Sequence, residues 1–475
     1  MKKTILTLTL LATLFSCKEE KKEIVAQPVI EETKEIAQFS PEMAENAVIY
    51  EANIRQYSPE GTFNEFTKDI PQLKELGVKI IWVMPIFPIS ETKRKATGGK
   101  DSKFASEMPE SEQSKYLGSY YAVSDFKAIN PEFGTIEDFR KLVKMAHDNG
   151  IYVILDWVPN HTGWDHVWLK EHPEFYTKND KGEITHPKDT DWTDVADLDY
   201  SNEGLRKAMV NDMKYWLNNE GIDGFRCDVA GSVPTEFWQE AVPQLRKEKN
   251  IFMLAEAWEP ELFKDGLFDM GYAWDGHHAM NKIAQGKEDV SAWDSYMEKR
   301  TKEYEANDIL MNFVDNHDEN SWNGTISERM EEASEIMMAL SYLTPGIPLI
   351  YSGDEYGLDH RLKFFEKDTI PKTKGKNWEI FKKLGKLKTE KTALNGGKDK
   401  ASYKRINTTS NDKVLAFERE KNGKKIIFIG NMSKENQEFT IQTMGKFKNI
   451  YTNSDFFIEK NQKLKMKPWE FVILE

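Results

Sequence analysis

The sequence predicts a (β/α)₈ barrel followed by a small antiparallel β-domain, and three observations support this fold. Eight short apolar stretches recur between residues 47 and 351, and segments with helical spacing separate them. Strands that are apolar on both faces and alternate with helices form a parallel sheet, and eight such strands close into a barrel. Beyond residue 394 no long helical pattern remains, and short alternating strands follow to the end of the chain.

Composition narrows the class of protein. The 475 residues are 39% hydrophobic and 12% aromatic, so the chain can bury a sizeable core. The formal net charge of −14 argues against nucleic acid as a partner, because surfaces that bind phosphates are basic. Flat aromatic side chains also suit the faces of sugar rings, which is a first indication of a carbohydrate ligand.

The N-terminal segment predicts export. Residues 1–16 read as a signal peptide, in which two lysines precede an apolar segment too short to span a bilayer. Cys17 follows a small residue, as in the cleavage box of bacterial lipoproteins, and a plain secretory signal is the alternative. Residues 17–43 are polar and acid-rich without a sustained period, which predicts a flexible tether. We therefore expect a cell-envelope lipoprotein, in the outer membrane, whose only membrane contact is the lipid on Cys17.

The elements of the barrel follow in order along residues 44–394. The predicted strands are residues 47–54, 78–84, 151–155, 222–225, 252–255, 268–273, 309–314 and 348–351. The clearest helical spacings are residues 63–76, 137–147, 205–217 and 326–343. Residues 395–475 contain short alternating stretches, which predict an antiparallel β-sandwich domain.

Two long segments interrupt this rhythm. Residues 86–117 follow the second strand and contain Gly98-Gly99 and eleven charged residues. Residues 163–200 follow the third strand and predict a small inserted B domain. In a barrel such segments project from the carboxyl-end face, which is where active sites lie.

Polar residues collect where the predicted strands end. The third strand ends at Asp156, the fifth at Glu256 and the seventh at residues 315–318. Crowded carboxylates repel one another and cost stability, and such a cost is usually tolerated for function. The pattern therefore predicts an active site on the carboxyl-end face.

The fourth strand carries Arg226 and Asp228, which point to the same face of the strand. The guanidinium is expected to lower the pKa of the Asp228 carboxyl and keep it ionised, as a nucleophile requires. Cys227 lies between them and is expected to be a small buried residue. With Cys17 as the other cysteine of the chain, no disulfide framework and no cysteine-based metal site is possible.

These stretches together resemble the α-amylase family of glycoside hydrolases. The four hallmark regions of that family are matched in order by residues 156–162, 224–230, 256–258 and 313–318. Residues 118–126, 130–134 and 194–199 resemble further motifs of the family. The resemblance spans about residues 44–394 and implies a (β/α)₈ or TIM barrel with a B domain after the third strand.

The resemblance implies the catalytic roles. Asp228 would be the nucleophile, Glu256 the general acid/base and Asp318 the transition-state stabiliser. Glu256 lies between apolar Ala255 and Ala257, which favours a held proton. The family retains anomeric configuration, so the carboxyl groups of the nucleophile and the acid are expected about 5–5.5 Å apart.

The resemblance also implies the binding residues. Those matching the positions that contact the glucosyl unit are Tyr121, His161, Arg226 and His317. Asn160 and Asp197 match two ligands of a structural calcium ion, which takes oxygen ligands. The chain departs from the common pattern at residues 229–232, where many relatives carry a lysine and a calcium-binding histidine. Three tryptophans could be sugar platforms or core residues: Trp157, Trp164 and Trp322.

The leading functional prediction is hydrolysis of α-1,4-glucosidic bonds in starch, glycogen or maltooligosaccharides at the cell envelope, with surface glucan-uptake proteins as partners. A cyclomaltodextrinase or neopullulanase type of hydrolase, or a glucan transferase, uses the same catalytic residues and stays open. A glucan-binding protein without activity would lack a catalytic carboxylate, and none is missing here. Chain-length preference and internal versus terminal cutting are not encoded in these motifs.

Overall fold

The structure is a computed structural model, and it describes residues 38–475. The predicted signal peptide, Cys17 and most of the predicted tether lie outside the described residues. Within residues 38–475, none of the helices has both the length and the apolar character needed to cross a membrane.

Eight parallel strands close into a barrel, as predicted. They are β1 (Val48–Ala52), β2 (Val78–Val83), β3 (Tyr152–Trp157), β4 (Gly224–Cys227), β5 (Phe252–Ala255), β6 (Met270–Tyr272), β7 (Ile309–Asn312) and β8 (Ile347–Tyr351). Each strand pairs with the next, and β8 pairs with β1, so no edge is left unpaired. The ends of all eight strands therefore meet on one face, which places distant residues of the chain side by side.

Alternate residues of the strands pack in two different cores. Ile49, Ile80 and Ile154 belong to a cluster that fills the inside of the barrel. Their neighbours, such as Val48 and Val153, pack outward in the larger cluster that includes the helices. This alternation is the two-residue period of a strand, and burial on both faces explains why the strands are apolar throughout.

Helices surround the barrel. The longer ones are Ile136–Asp148, Glu203–Asn219, Thr235–Glu248, Trp274–Ala284, Val290–Glu303, Ser334–Leu343 and Lys376–Glu390. The shorter ones are Pro41–Ala44, Ile54–Tyr57, Phe63–Thr67, Ile70–Leu73, Glu110–Gln113, Val167–Glu171 and Ile326–Met330. Side chains that accept backbone N–H bonds begin two of the longest helices, Thr135 for the first and Asn202 for the second.

Two predicted helices are broken. The helix predicted over residues 63–76 is interrupted before Ile70, and Pro71 lies in the first turn of the next piece, where its missing N–H costs nothing. The helix predicted over residues 326–343 is interrupted at Glu331, whose φ of 46° is incompatible with a continuous helix. Periodicity alone does not reveal these breaks.

The folded part begins earlier than predicted. The sequence predicts a flexible tether as far as residue 43, but Phe39 within it is only 5% exposed. Its ring lies 5.6 Å from that of Tyr152 and 5.0 Å from that of Phe252, at the amino ends of β3 and β5. Phe39 thus closes the lower end of the barrel, because a large apolar ring is stabilised by covering other apolar rings.

Both long segments follow strands at the carboxyl-end face. Within the second, the strand His161–Gly163 pairs antiparallel with Val195–Asp197, which joins the start of the insertion to its end. Residues 86–117 contain only short helical turns, and Lys95 forms an isolated bridge with Phe104. Both segments are therefore placed to shape a cavity above the barrel.

The C-terminal domain has a six-stranded antiparallel sheet and a two-stranded sheet. The strands are Ser402–Arg405, Val414–Lys421, Lys424–Asn431, Gly445–Asn449, Ser454–Ile458 and Phe471–Leu474 in the larger sheet, and Gln437–Phe439 and Leu464–Met466 in the smaller. Arg419 fixes this domain to the barrel. Its buried guanidinium donates hydrogen bonds to the carbonyl oxygens of Leu343, at 2.6 Å, and Asn395, at 2.8 Å.

Candidate active site

A cavity of about 380 Å³ lies at the carboxyl-end face of the barrel. Asp228 follows β4, Glu256 follows β5 and Asp318 lies beyond β7, and all three carboxylates line this cavity. They are separated by up to 90 residues in the chain, and the closure of the barrel brings them together. The structure thus gathers the predicted catalytic residues, and their individual roles stay predictions.

Arg226 is the centre of the charge arrangement. Its fully buried guanidinium donates hydrogen bonds from Nη1 to Asp156 Oδ1 and Asp228 Oδ1, both at 2.9 Å. Its Nη2 atom lies 2.9 Å from Glu256 Oε2. The sequence predicted the pairing with Asp228 alone. One guanidinium therefore serves three acids, and the two predicted catalytic carboxylates are held on the same planar group.

The pKa of Asp228 is raised well above its ordinary value, contrary to the prediction. Burial raises it first, the charge of Glu256 raises it further, and Arg226 only partly offsets both. Burial likewise raises the pKa of Asp156 to about 6, although Arg226 lowers it. Burial and the neighbouring acids therefore disfavour the ionised form of Asp228, and Arg226 offsets only part of that effect.

The contacts of Glu256 differ between its two carboxyl oxygens. Its Oε2 atom accepts the backbone N–H of Val229 at 2.7 Å and faces Nη2 of Arg226. A proton on Oε2 would conflict with both donors, so Oε1 is the oxygen that can carry it. Val229 is a β-branched residue with φ 38° and ψ 46°, a strained conformation that aims its N–H at the acid. Val229 belongs to residues 229–232, where the sequence departs from the pattern common in the family that it resembles.

His317 is held from two sides. Its Nδ1 atom lies 2.6 Å from Oε1 of Glu51, its Nε2 atom 2.7 Å from the hydroxyl of Tyr121, and Nε2 also lies 3.4 Å from Asp318 Oδ2. Burial lowers the pKa of His317, but Asp318 and Glu51 outweigh it and raise it to about 9. The ring is therefore an imidazolium at neutral pH, and it neutralises part of the acidic cluster.

The imidazolium should make the stability of the protein depend on pH. A pKa raised from 6.5 to about 9 contributes stability that is fully present below about pH 6.5 and is lost as the pH rises through about 9. We expect His317→Gln to melt below the wild type at about pH 6, with the difference shrinking toward about pH 10. Thermal unfolding of both proteins across that range checks this, and a difference that grows with pH would contradict it.

His161 and Tyr121 complete the polar lining. His161 is buried, and burial lowers its pKa to about 3, so its ring is neutral. Its Nδ1 atom faces the side-chain amide of Asn160 at 3.1 Å, which leaves the other ring nitrogen to carry the proton. Tyr121 stacks on His317 with ring centroids 5.5 Å apart and donates to Asp156 at 3.3 Å. Both residues line the cavity, and their contact with a glucosyl unit stays a prediction.

The three tryptophans separate into different roles. Trp322 lines the cavity and is 45% exposed, so it is available to a ligand. Trp157 is fully buried and packs on Phe126 in the outer core. Trp164 donates to a backbone carbonyl at 2.9 Å and does not line the cavity.

Sequence reasoning does not identify Glu51, a fully buried carboxylate in β1 that accepts from His317. It places Asp156 at a strand end of the predicted site but does not show that Asp156 is the third acid on Arg226. The signal for Glu51 was present, since an acid inside an apolar strand is rarely buried without a partner. Its partner is 266 residues away, so the sequence could not show which group it meets.

The predicted calcium ligands form a sparse set. Asn160 directs its amide nitrogen to His161, and the carbonyl oxygen of Asn160 accepts from the N–H of Leu198 at 3.3 Å. Within residues 38–475 no three His, Cys, Asp or Glu side chains are grouped to hold a metal. Calcium takes six to eight oxygen ligands, and Asn160 with Asp197 supplies two side chains only. These residues do not complete a site, and calcium stays a prediction.

Comparison with known proteins gives matches over nearly the whole described chain. The family model of the α-amylase catalytic domain matches residues 38–193 and 189–414, and that of the maltogenic amylase C-terminal domain matches residues 405–473.

Curated and solved proteins extend this result. Alpha-amylase 3 of Dictyoglomus thermophilum is 25% identical, covering 90% of this chain and 93% of that protein. Alpha-amylase MalA of Haloarcula japonica is 26% identical over 67% of this chain, which spans only 45% of that protein's length. The crystal structure of a noncanonic maltogenic α-amylase from Thermotoga neapolitana has a TM-score of 0.80 and 28% identity, covering 91% of this chain and 99% of that one.

Proposed function

The chain belongs to the α-amylase catalytic-domain family of glycoside hydrolases, and from that premise we propose that it hydrolyses α-1,4-glucosidic bonds in starch, glycogen or maltooligosaccharides. The observation that carries this proposal is the pair Asp228 and Glu256 on one guanidinium, with Asp318 on the same cavity. A nucleophile and a proton donor on opposite sides of the scissile bond are what a retaining glycosidase requires.

In the proposed reaction, Asp228 attacks the anomeric carbon while Glu256 gives the proton on Oε1 to the glycosidic oxygen. The bond to the leaving chain breaks and a covalent glycosyl ester on Asp228 forms. Glu256, now ionised, takes a proton from water, and the resulting hydroxide releases the sugar and restores Asp228. Asp318 stabilises the positive charge of the oxocarbenium-like state, and the neutral ring of His161 donates a hydrogen bond to a sugar hydroxyl.

Release of new reducing ends from soluble starch tests the proposal. Starch, pullulan and cyclodextrin should be incubated side by side with the purified enzyme, and we expect starch to be cleaved. Absence of product from every α-glucan would overturn the proposal.

A second candidate is a cyclomaltodextrinase or neopullulanase type of hydrolase. The match of residues 405–473 to the maltogenic amylase C-terminal domain favours it. Faster cleavage of cyclodextrin or pullulan than of starch would support this candidate. A glucan transferase would instead convert maltoheptaose into chains longer than the substrate.

The proposed location is the cell envelope, through a lipid on Cys17, where glucan-uptake proteins would be partners. This proposal is supported by the sequence of residues 1–17 alone. Detergent-phase partitioning of the protein expressed in a Gram-negative host tests it. Cys17→Ser should move the protein to the aqueous phase, and equal partitioning of both proteins would refute the anchor.

Calcium binding is proposed from the resemblance of Asn160 and Asp197. If the ion stabilises the fold, a chelator should lower the melting temperature by several degrees, because a ligand bound only to the folded state adds to its stability. Asn160→Ala and Asp197→Ala should then lose the response. An unchanged melting temperature in the chelator would remove calcium from the description of this protein.

A further inference from the structure

The long segment 86–117 forms one wall of the active-site cavity, and the sequence alone could not show its purpose. We propose that this segment closes the end of the cleft that receives the non-reducing end of the glucan. The enzyme would then cut near that end and release short products of fixed length. This inference rests on the proposed hydrolysis of α-glucans and specifies how that reaction is restricted.

The orientation of the substrate follows from the acid. Glu256 protonates the oxygen of the leaving chain, so the leaving chain lies on the side of β5. The rest of the substrate, which ends at the non-reducing terminus, extends to the opposite side. In the closed order of strands, β1 lies across the barrel from β5, between β2 and β8. The loops after β2, β7 and β8 therefore enclose the non-reducing side.

Those three loops touch one another. The ring of Trp322, beyond β7, lies 5.1 Å from that of Phe364 and 6.0 Å from that of Phe365, beyond β8. A Cβ atom at Gly98 would lie 2.7 Å from Cη2 of Trp322, so the backbone of segment 86–117 lies directly against that ring. The N–H of Leu117 donates to the carbonyl oxygen of Phe365 at 2.7 Å. Segment 86–117 is thus joined to the other two loops without a gap for a sugar chain between Gly98 and Trp322.

The same segment is fixed to the inserted B region. Lys95 is 4% exposed, and its Nζ atom donates to the carbonyl oxygen of Asp191 at 2.5 Å. It also lies 3.4 Å from Oδ1 of Asp194, which is itself buried. Lys95, Gly98 and Trp322 all line the cavity that contains the three carboxylates. The segment therefore bridges the non-reducing side from the B region to Trp322.

Trp258 lies outside this arrangement. It follows Glu256 by two residues and is 50% exposed, but it does not line the cavity that contains the three carboxylates. A cleft that is closed on the non-reducing side admits a polymer by its end rather than by its middle.

Maltoheptaose labelled at its reducing end tests the inference directly. With the wild type, we expect the first unlabelled products to be one short species, and reducing ends from amylose to appear well before its iodine stain fades. Early loss of the iodine stain, or first cuts spread along labelled maltoheptaose, would overturn the inference while leaving the proposed hydrolysis intact. Absence of any product would overturn both.

Two variants examine the wall. Trp322→Ala removes the ring against which Gly98 packs. Lys95→Met removes the contacts of the segment with Asp191 and Asp194 of the B region. We expect each to raise the share of longer unlabelled fragments about tenfold, the size of effect that one lost steric contact has on discrimination. Trp258→Ala is the matched control, because it removes an exposed indole that does not line the cavity, and it should leave the product length unchanged. Unchanged product lengths in both wall variants, with melting temperatures showing that they are folded, would overturn the inference.

Discussion

Asp228→Asn is expected to lower kcat by about 10⁴-fold or more while the protein stays folded, because loss of a nucleophile removes the covalent step of the reaction. The amide oxygen still accepts from Arg226, so the geometry of the site is kept. Initial rates on starch provide the measurement, and each rate is divided by the concentration of folded protein. Asp275→Asn is the matched control, since Asp275 is half exposed, pairs with Lys299 and does not line the cavity. Equal loss of activity in both variants would contradict the role of Asp228.

The same substitution should not destabilise the protein. Because burial and Glu256 raise the pKa of Asp228, this group contributes stability at low pH and that contribution is lost as the pH rises above the ordinary carboxyl range. At neutral pH an ionised Asp228 therefore costs stability, and a neutral amide removes that cost. We expect the melting temperature of Asp228→Asn at about pH 7 to equal or exceed that of the wild type. A clearly lower value would show that the carboxylate stabilises the fold.

Arg226→Leu is expected to have the opposite effect on stability, lowering the free energy of unfolding by about 3–5 kcal/mol at neutral pH. The guanidinium is the shared partner of Asp156, Asp228 and Glu256, and its removal leaves buried carboxylates facing one another. Arg226→Lys should recover only part of the loss, because an ammonium cannot present two parallel donors to separate acids. Urea denaturation at about pH 7 supplies the measurement.

The pH dependence of the stability of Arg226→Leu distinguishes repulsion between the acids from simple loss of packing. Without Arg226, the three acids can relieve their repulsion by taking up protons, and the pKa of Asp156 is raised to about 6 even in its presence. The folded variant then binds more protons than the unfolded chain, so its stability rises as the pH falls, and the deficit should shrink toward about pH 5. Arg361→Leu is the control, because its pair with Glu328 is half exposed and worth at most about 1 kcal/mol. A deficit that is constant with pH would indicate lost packing instead.

Much of the fold could be predicted from local patterns. All eight barrel strands lie within or within two residues of the predicted stretches, because burial on both faces leaves a continuous apolar run in the sequence. The predicted catalytic residues were found for the same reason, since each follows the end of such a run. The breaks at residues 68–69 and 331–333 were missed because the apolar spacing continues across them. Phe39 was missed because its burial depends on Tyr152 and Phe252, which lie more than 100 residues away.

The sequence by itself determined the order of the barrel strands, the positions of Asp228, Glu256 and Asp318, and the class of reaction that such residues support. The tertiary structure alone decided how these acids share charge and which residues of segment 86–117 line their cavity. The physical reason is that periodicity and strand ends are properties of neighbouring residues, whereas a pKa and a closed cavity depend on atoms brought together from distant strands. Arg226 illustrates both: its neighbour Asp228 was visible in the sequence, but Asp156 and Glu256 reach it only when the barrel closes.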